Sequence, residues 1–213
     1  NSVINKYKKS INERQLLLKG KNYDESWIQK LENNIVEDGL IIYKKRISHI
    51  EKINIILKNI NNHEFFSSNF SLKLKDEFIE KTSNFLDNNE FYLSSLKKNR
   101  NLDCYSGGCL IGPHRSDIIG FNIVDNFNLN QLSTGQQKTM VLLIIISQCI
   151  FLIKDINIKP VILLDEICSH LDDTNRQMIL YLVNELQVQV LMTGTDKNFF
   201  SFLSTKANYC NIT

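Results

Sequence analysis

Two acidic residues in succession, Asp165 and Glu166, follow the four apolar residues Val161-Ile162-Leu163-Leu164. An apolar run without alternation fits a strand covered on both faces, and the carboxyl end of such a strand is where an open α/β sheet meets its ligands. A carboxylate emerging there suits Mg²⁺, a hard cation that prefers oxygen donors, and Asp165 is the candidate for that role. Glu166, one residue later, is placed to orient or deprotonate a water that attacks a phosphate. A buried strand ending in a solvated acidic turn has the same residue pattern.

A second group is Leu132-Ser133-Thr134-Gly135-Gln136-Gln137-Lys138-Thr139, immediately before the long apolar run that opens at Met140. Ser133, Thr134, Gly135 and Gln136 stand where a helix amino terminus would present unpaired N–H groups, an end that attracts anions through those donors and its dipole. Taken alone, Ser133 is better accounted for as an ordinary N-cap. Beyond the acidic pair lie Ser169-His170-Leu171-Asp172 and, after a further helical stretch and an apolar strand, Thr193-Gly194-Thr195-Asp196.

The elements that must hold these groups are legible in outline. Short strands are expected at Cys109–Ile111 and Asp117–Val124, a helix from about Gly135, a strand at Val161–Leu164, a helix from about Thr174 to Leu186 and a strand at Val188–Met192. Strand, helix and strand in that order predict a parallel βαβ unit. Upstream, residues 1–99 read as helical. Ile28, Leu31 and Ile35 repeat at helical spacing, as do Tyr43, Ile47, Ile50, Ile53, Leu57 and Ile60. Asp38-Gly39 is expected to separate two helices or to bend one. A strand is expected within Phe65–Leu74 and a helix over Lys75–Lys98. The fold class is therefore α/β, with a helical domain over 1–99 and an α/β domain over 100–213.

Composition sets the bounds. The chain has 213 residues, of which 43% are hydrophobic and 23% charged, with a formal net charge of +2. That overall charge is too small to imply nucleic acid, but residues 1–60 hold 12 Lys and Arg against 7 Asp and Glu, whereas 104–213 hold 7 against 9. Such a basic segment can meet phosphates, or it can be a solvated helical face. Five cysteines without metal-type spacing (Cys104, Cys109, Cys149, Cys168 and Cys210) point to reduced thiols and a cytosolic setting. The apolar run Met140–Ile153 is interrupted by Ser147 and Gln148, and it falls short of the roughly 20 residues of a membrane span.

The order of these groups resembles that of ABC-type ATPases: signature before the long apolar helix, Walker B at Asp165 and Glu166, a D-loop through Asp172, a switch at Thr193 and Thr195. In that superfamily ATP lies between two protomers, so the resemblance implies that Ser133, Thr134, Gly135 and Gln136 act on the partner's nucleotide. Asp165 and Glu166 would act on the nucleotide of their own protomer, with Mg²⁺ held at Asp165. Asp172 would lie at the protomer boundary, a role for which helix capping is an equal alternative. Gly112-Pro113-His114-Arg115-Ser116-Asp117, together with a signature of the form S-x-G-Q-Q-K, narrows the resemblance to the RecF family of ABC/SMC-like ATPases. The helical segment with Arg14-Gln15-Leu16-Leu17-Leu18 and Trp27 is similar to that family's arm domain. The fold so implied is the carboxy-terminal lobe of an ABC head with a parallel βαβ core, preceded by a helical arm.

The resemblance carries further expectations: a cytoplasmic protein of DNA replication and repair that binds DNA and forms an ATP-dependent homodimer. It would act with RecO and RecR at single-strand gaps to load recombinase. The departures are Ser116, where the family often has a second acid, Thr134 in place of a signature glycine, and a switch without histidine. No G-x-x-x-x-G-K-[ST] phosphate loop occurs in the chain. The expectation is thus a carboxy-terminal segment that by itself neither binds ATP tightly nor hydrolyses it. For Pro113, His114 and Arg115 a rigid turn with polar side chains stands beside a functional role. The rivals are an SMC-like head, a transporter nucleotide-binding domain, which the missing switch histidine disfavours, and a non-catalytic interaction module.

Overall fold

The computed structural model describes residues 2–20, 23–61, 70–81, 89–124, 127–166, 171–203 and 207–211. Their elements run α1 (Ser2–Lys19), α2 (Glu25–Asn61), β1 (Phe70–Lys75), α3 (Glu77–Glu80), α4 (Asn89–Lys98), α5 (Arg100–Ser106), β2 (Asp117–Asn122), α6 (Thr134–Lys154), β3 (Ile162–Leu164), α7 (Asp173–Leu186) and β4 (Val190–Met192), with short 3₁₀ turns at Leu129–Gln131 and Lys197–Phe200. β1 pairs with β2, and β3 with β4. The parts of the expected elements that fall on 65–69 and 82–88, including Phe85, lie outside the described residues, as do Cys168, Ser169 and His170.

The chain forms two compact units. One comprises Asn1–Glu51 with Lys73–Ile119, the other Lys52–Leu72 with Gly120–Thr213. The division anticipated at 99/100 therefore falls inside the first unit. The reason is that α5 packs back on α1, and its Arg100 and Asp103 are tied to side chains of α1 and α2.

In the first unit, Tyr7, Ile35, Val36, Leu40, Ile42, Tyr43, Phe78, Tyr92, Leu96 and Cys109 form one apolar core. Phe78 stacks on Tyr43 and tilts against Tyr92, with ring centroids 5.9 and 4.7 Å apart. α2 runs unbroken through Asp38-Gly39. Gly39 serves close packing instead of ending the helix, because a Cβ there would lie 2.9 Å from the Tyr92 ring. The expected strand at Cys109–Ile111 is a series of bends. Its backbone groups are taken by side chains and not by a neighbouring strand: the Leu110 N–H donates to Asp103 Oδ1, and the Cys109 carbonyl accepts from His114 and Arg115.

The second unit is built on α6. Leu142, Leu143, Ile146, Ser147 and Cys149 of this helix are buried, and α7 packs on it. At 21 residues α6 is longer than the apolar run, and by length and composition alone it could cross a membrane. One face of it is buried and α7 packs on it, while Val141 and Ile145 are exposed. β3 and β4 lie parallel, with Ile162 opposite Val190, Leu163 opposite Leu191 and Leu164 opposite Met192. The intervening α7 completes the expected βαβ unit. Ile162 and Leu164 point inward, whereas Leu163 and Leu191 are 69% and 52% exposed, so one face of this parallel pair is bare.

Candidate functional site: the acidic turn and the capped helix

β3 delivers Asp165 and Glu166 at its carboxyl end, and the parallel neighbour β4 delivers Thr193 to the same place. The Thr193 N–H extends the ladder by donating to the Leu164 carbonyl at 3.0 Å. Its hydroxyl donates to Asp165 Oδ1 and accepts from the Glu166 N–H at 3.1 Å. Asp165 is exposed and Glu166 half-buried. Glu166 adopts φ +53°, a left-handed conformation that a non-glycine residue takes up only where its surroundings hold it there. Two carboxylates are thus set on a constrained turn beyond a parallel strand.

Ser133 caps α6 in a reciprocal arrangement. Its Oγ accepts from the Gln136 N–H at 3.4 Å, and its own N–H donates to Gln136 Oε1 at 3.1 Å. The following Gln137 amide donates to the carbonyls of Asn130 and Leu132, which fixes the entry of the chain into the helix. Ser133, Thr134 and Gln136 are exposed and Gly135 is half-buried. The cap and the exposed amino terminus therefore coexist in one element.

Asp172 is the N-cap of α7 and accepts from the Asn175 N–H at 2.8 Å. The neighbouring Asp173 pairs with Arg176 at 3.0 Å. Gly194 lies against Phe200, where a Cβ would approach the ring to 2.8 Å, and Thr195 is exposed beside it. Among the described residues no group of three or more His, Cys, Asp or Glu side chains is placed to hold a metal. Asp165 can offer one hard carboxylate to a cation whose remaining ligands are water and phosphate oxygens.

The Gly112–Asp117 segment is folded into the first unit. His114 Nε2 bonds the Cys109 carbonyl at 2.8 Å, which requires a proton on Nε2, so Nδ1 accepts from the Tyr7 hydroxyl at 2.9 Å. Tyr7 in turn accepts from Tyr92, the hydroxyls being 3.3 Å apart. Burial, reinforced by Tyr92, pushes the Tyr7 hydroxyl far above its ordinary value. Desolvation holds the His114 imidazole below its usual range, against the opposing effect of its bond to Cys109. Gly112 has φ +127°, and a Cβ there would collide with the hydroxyls of Tyr7 and Tyr92. The Pro113 carbonyl accepts from Arg46 and from Ser116. The geometry of this segment is that of a pinned turn.

A buried ionic network was not foreseen from the sequence. Arg14 has no solvent exposure and donates to Glu32 at 3.0 Å, Asp103 at 2.7 Å, the Leu96 carbonyl at 2.7 Å and Cys109 Sγ at 3.3 Å. Arg100 grips Glu32 at 2.9 and 2.7 Å and reaches Glu25. Burial works against the charge of Arg14, but Cys109 and the bonds to Asp103 and Glu32 raise its pKa overall. Burial pushes the Cys109 thiol up to about 11 despite the adjacent guanidinium. The available signal was a charged residue on an apolar stripe: Arg14 lies seven residues after Tyr7, and Glu32 four after Ile28.

No protein-family model matches the chain. Curated relatives do. DNA replication and repair protein RecF of Rickettsia prowazekii is 30% identical over 208 residues, covering 97% of this chain and 57% of that protein. The RecF of Mesorhizobium japonicum is 28% identical over 207 residues, covering 97% and 55%. Among solved structures, RecF-ATP, described as the recombination mediator protein of the RecFOR pathway, superposes with a TM-score of 0.72 at 23% identity. That match covers 92% of this chain and 53% of the other. The chain spans about half the length of the curated relatives it matches. Over nearly all of its own length, in sequence and in fold, it is RecF-like.

Proposed function

We propose that this chain forms the helical arm and the signature-bearing lobe of a RecF-like ABC ATPase acting in DNA replication and repair. The observation that carries the proposal is the acidic turn: Asp165 and Glu166 stand at the carboxyl end of a parallel strand, beside a threonine of the next strand. In this reading Asp165 ligates Mg²⁺ and Glu166 activates water at the nucleotide of its own protomer. The α6 terminus, with Ser133, Thr134, Gly135 and Gln136, faces the γ-phosphate of a partner in an ATP-dependent homodimer. Asp172 combines its capping bond with a place at the protomer boundary. The phosphate loop comes from a further lobe, for which the bare Leu163 and Leu191 face supplies apolar surface. A parallel sheet is normally covered on both sides.

The remainder of the proposal is a cytoplasmic protein that binds DNA at single-strand gaps and cooperates with RecO and RecR. The supporting feature is the basic character of residues 1–60, where Lys6, Lys8, Lys9, Lys44 and Lys45 are exposed. Because Tyr7, Arg14, Ile35 and Tyr43 of the same segment build the core, charge substitution tests it and deletion does not. Replacing the five lysines with glutamine should weaken DNA binding and flatten its salt dependence by roughly one slope unit for each phosphate no longer neutralised. For the nucleotide role, sedimentation of a chain that also carries a phosphate-loop lobe should show a dimer with Mg²⁺-ATP, abolished by Ser133→Arg. A monomer under those conditions, or a Ser133→Arg dimer of unchanged affinity, would refute it.

A further inference from the structure

The threonine of the β4 loop is exposed, but its hydroxyl is already engaged within the chain. Its hydroxyl has one proton, and that proton is given to Asp165 Oδ1. Its oxygen accepts the Glu166 N–H at 3.1 Å, and its backbone N–H holds the Leu164 carbonyl. Three successive residues of the acidic strand are thereby fixed by one residue of the neighbouring strand. Glu166 sits at φ +53°, and the Thr193 oxygen meets the N–H of that left-handed residue. We propose that Thr193 is the positioning residue of the acidic pair: it aims the Asp165 carboxylate and holds the turn that presents Glu166, in place of contacting phosphate itself. The exposed Thr195, two residues on, is then the hydroxyl of this loop left to meet a phosphate.

The physical reason is directional. A carboxylate at a strand end rotates about χ1 and χ2, so a hydroxyl donated to one oxygen selects a rotamer and turns the other oxygen outward. A hydroxyl can do this while accepting from a backbone N–H, because it is both donor and acceptor. Valine has the same shape and neither capacity. Serine keeps both.

This inference rests on the nucleotide reading of Asp165 and Glu166, but its geometry is testable without nucleotide. Amide hydrogen exchange at Glu166 in the 213-residue chain should accelerate roughly tenfold in Thr193→Val and stay at the wild-type rate in Thr193→Ser. In a chain that also carries a phosphate-loop lobe, Thr193→Val should lower kcat about tenfold or more with KM for ATP little changed, and serine should restore it. Unchanged exchange at Glu166 in the valine variant overturns the proposal, as does exchange that accelerates without any loss of kcat. If the unsubstituted chain carrying the phosphate-loop lobe turns over no ATP, the nucleotide reading fails, while the exchange measurement still decides whether Thr193 holds the turn.

Discussion

Replacing Arg14 with methionine probes the fixation of the helical unit most directly. The guanidinium is fully buried and joins α1 to Glu32 of α2, to Asp103 of α5 and to the last turn of α4 through the Leu96 carbonyl. Methionine fills similar volume but strands its partners unequally. Glu32 keeps both of its bonds to Arg100, whereas Asp103 loses the guanidinium and retains the Leu110 N–H. Breaking a buried pair from one side costs about 3–5 kcal/mol, because the remaining charge stays desolvated. Arg14→Met should therefore lower unfolding free energy by about that amount, as measured by urea denaturation followed by far-UV circular dichroism. Arg14→Lys should fall only slightly short of this loss, since one ammonium cannot span Glu32, Asp103 and Leu96 together. The double variant Arg14→Met/Asp103→Asn should be less destabilised than the sum of the singles by about 1 kcal/mol or more. A loss below about 1 kcal/mol for Arg14→Met, or additivity within about 0.5 kcal/mol, would refute the reasoning.

Two further outcomes follow from the pinned turn. Gly112→Ala should destabilise the chain by at least about 2 kcal/mol, since it combines a positive φ with collision against the Tyr7 and Tyr92 hydroxyls; a midpoint in urea equal to that of the wild type would contradict this. His114 has a folded pKa depressed below its ordinary 6.5, so the unfolded state binds more protons as the pH falls below that value. Its contribution to stability is complete above about 6.5 and is lost as pH falls toward the folded value, with a size reduced by the partial exposure of the ring. Denaturation midpoints compared between pH 7.5 and 5 should show this slope in the wild type and a weaker one in His114→Gln.

Much of the architecture was legible because periodicity records burial. The apolar run Val161–Leu164 and its acidic end read correctly as a strand ending in carboxylates, and the β3–α7–β4 unit is parallel as expected. The expected cover on both faces is not found among the described residues, since Leu163 and Leu191 are exposed. Ser133 read as a cap because a serine directly before a helical run commonly caps it, and the structure adds the reciprocal bond from Gln136. Other expectations did not hold: the 99/100 division falls inside one unit, because α5 is tied to α1 and α2. Gly39 does not break its helix, because its missing Cβ makes room for Tyr92, a residue distant in sequence. Cys109–Ile111 is not a strand, because side chains of Asp103, His114 and Arg115 satisfy its backbone.

The sequence by itself determined the order of the chemical groups, the helical and βαβ segments, and the RecF-like character, since each is written in local residue types and short spacings. Only the tertiary structure decided that Arg14, Glu32, Asp103 and Arg100 close one buried network, that His114 belongs to Tyr7, and that the Thr193 hydroxyl belongs to Asp165. These pairings join positions 18 to 107 residues apart. Hydrogen-bond direction and desolvation depend on which groups the fold brings within about 3 Å of one another, and no local pattern encodes that distance.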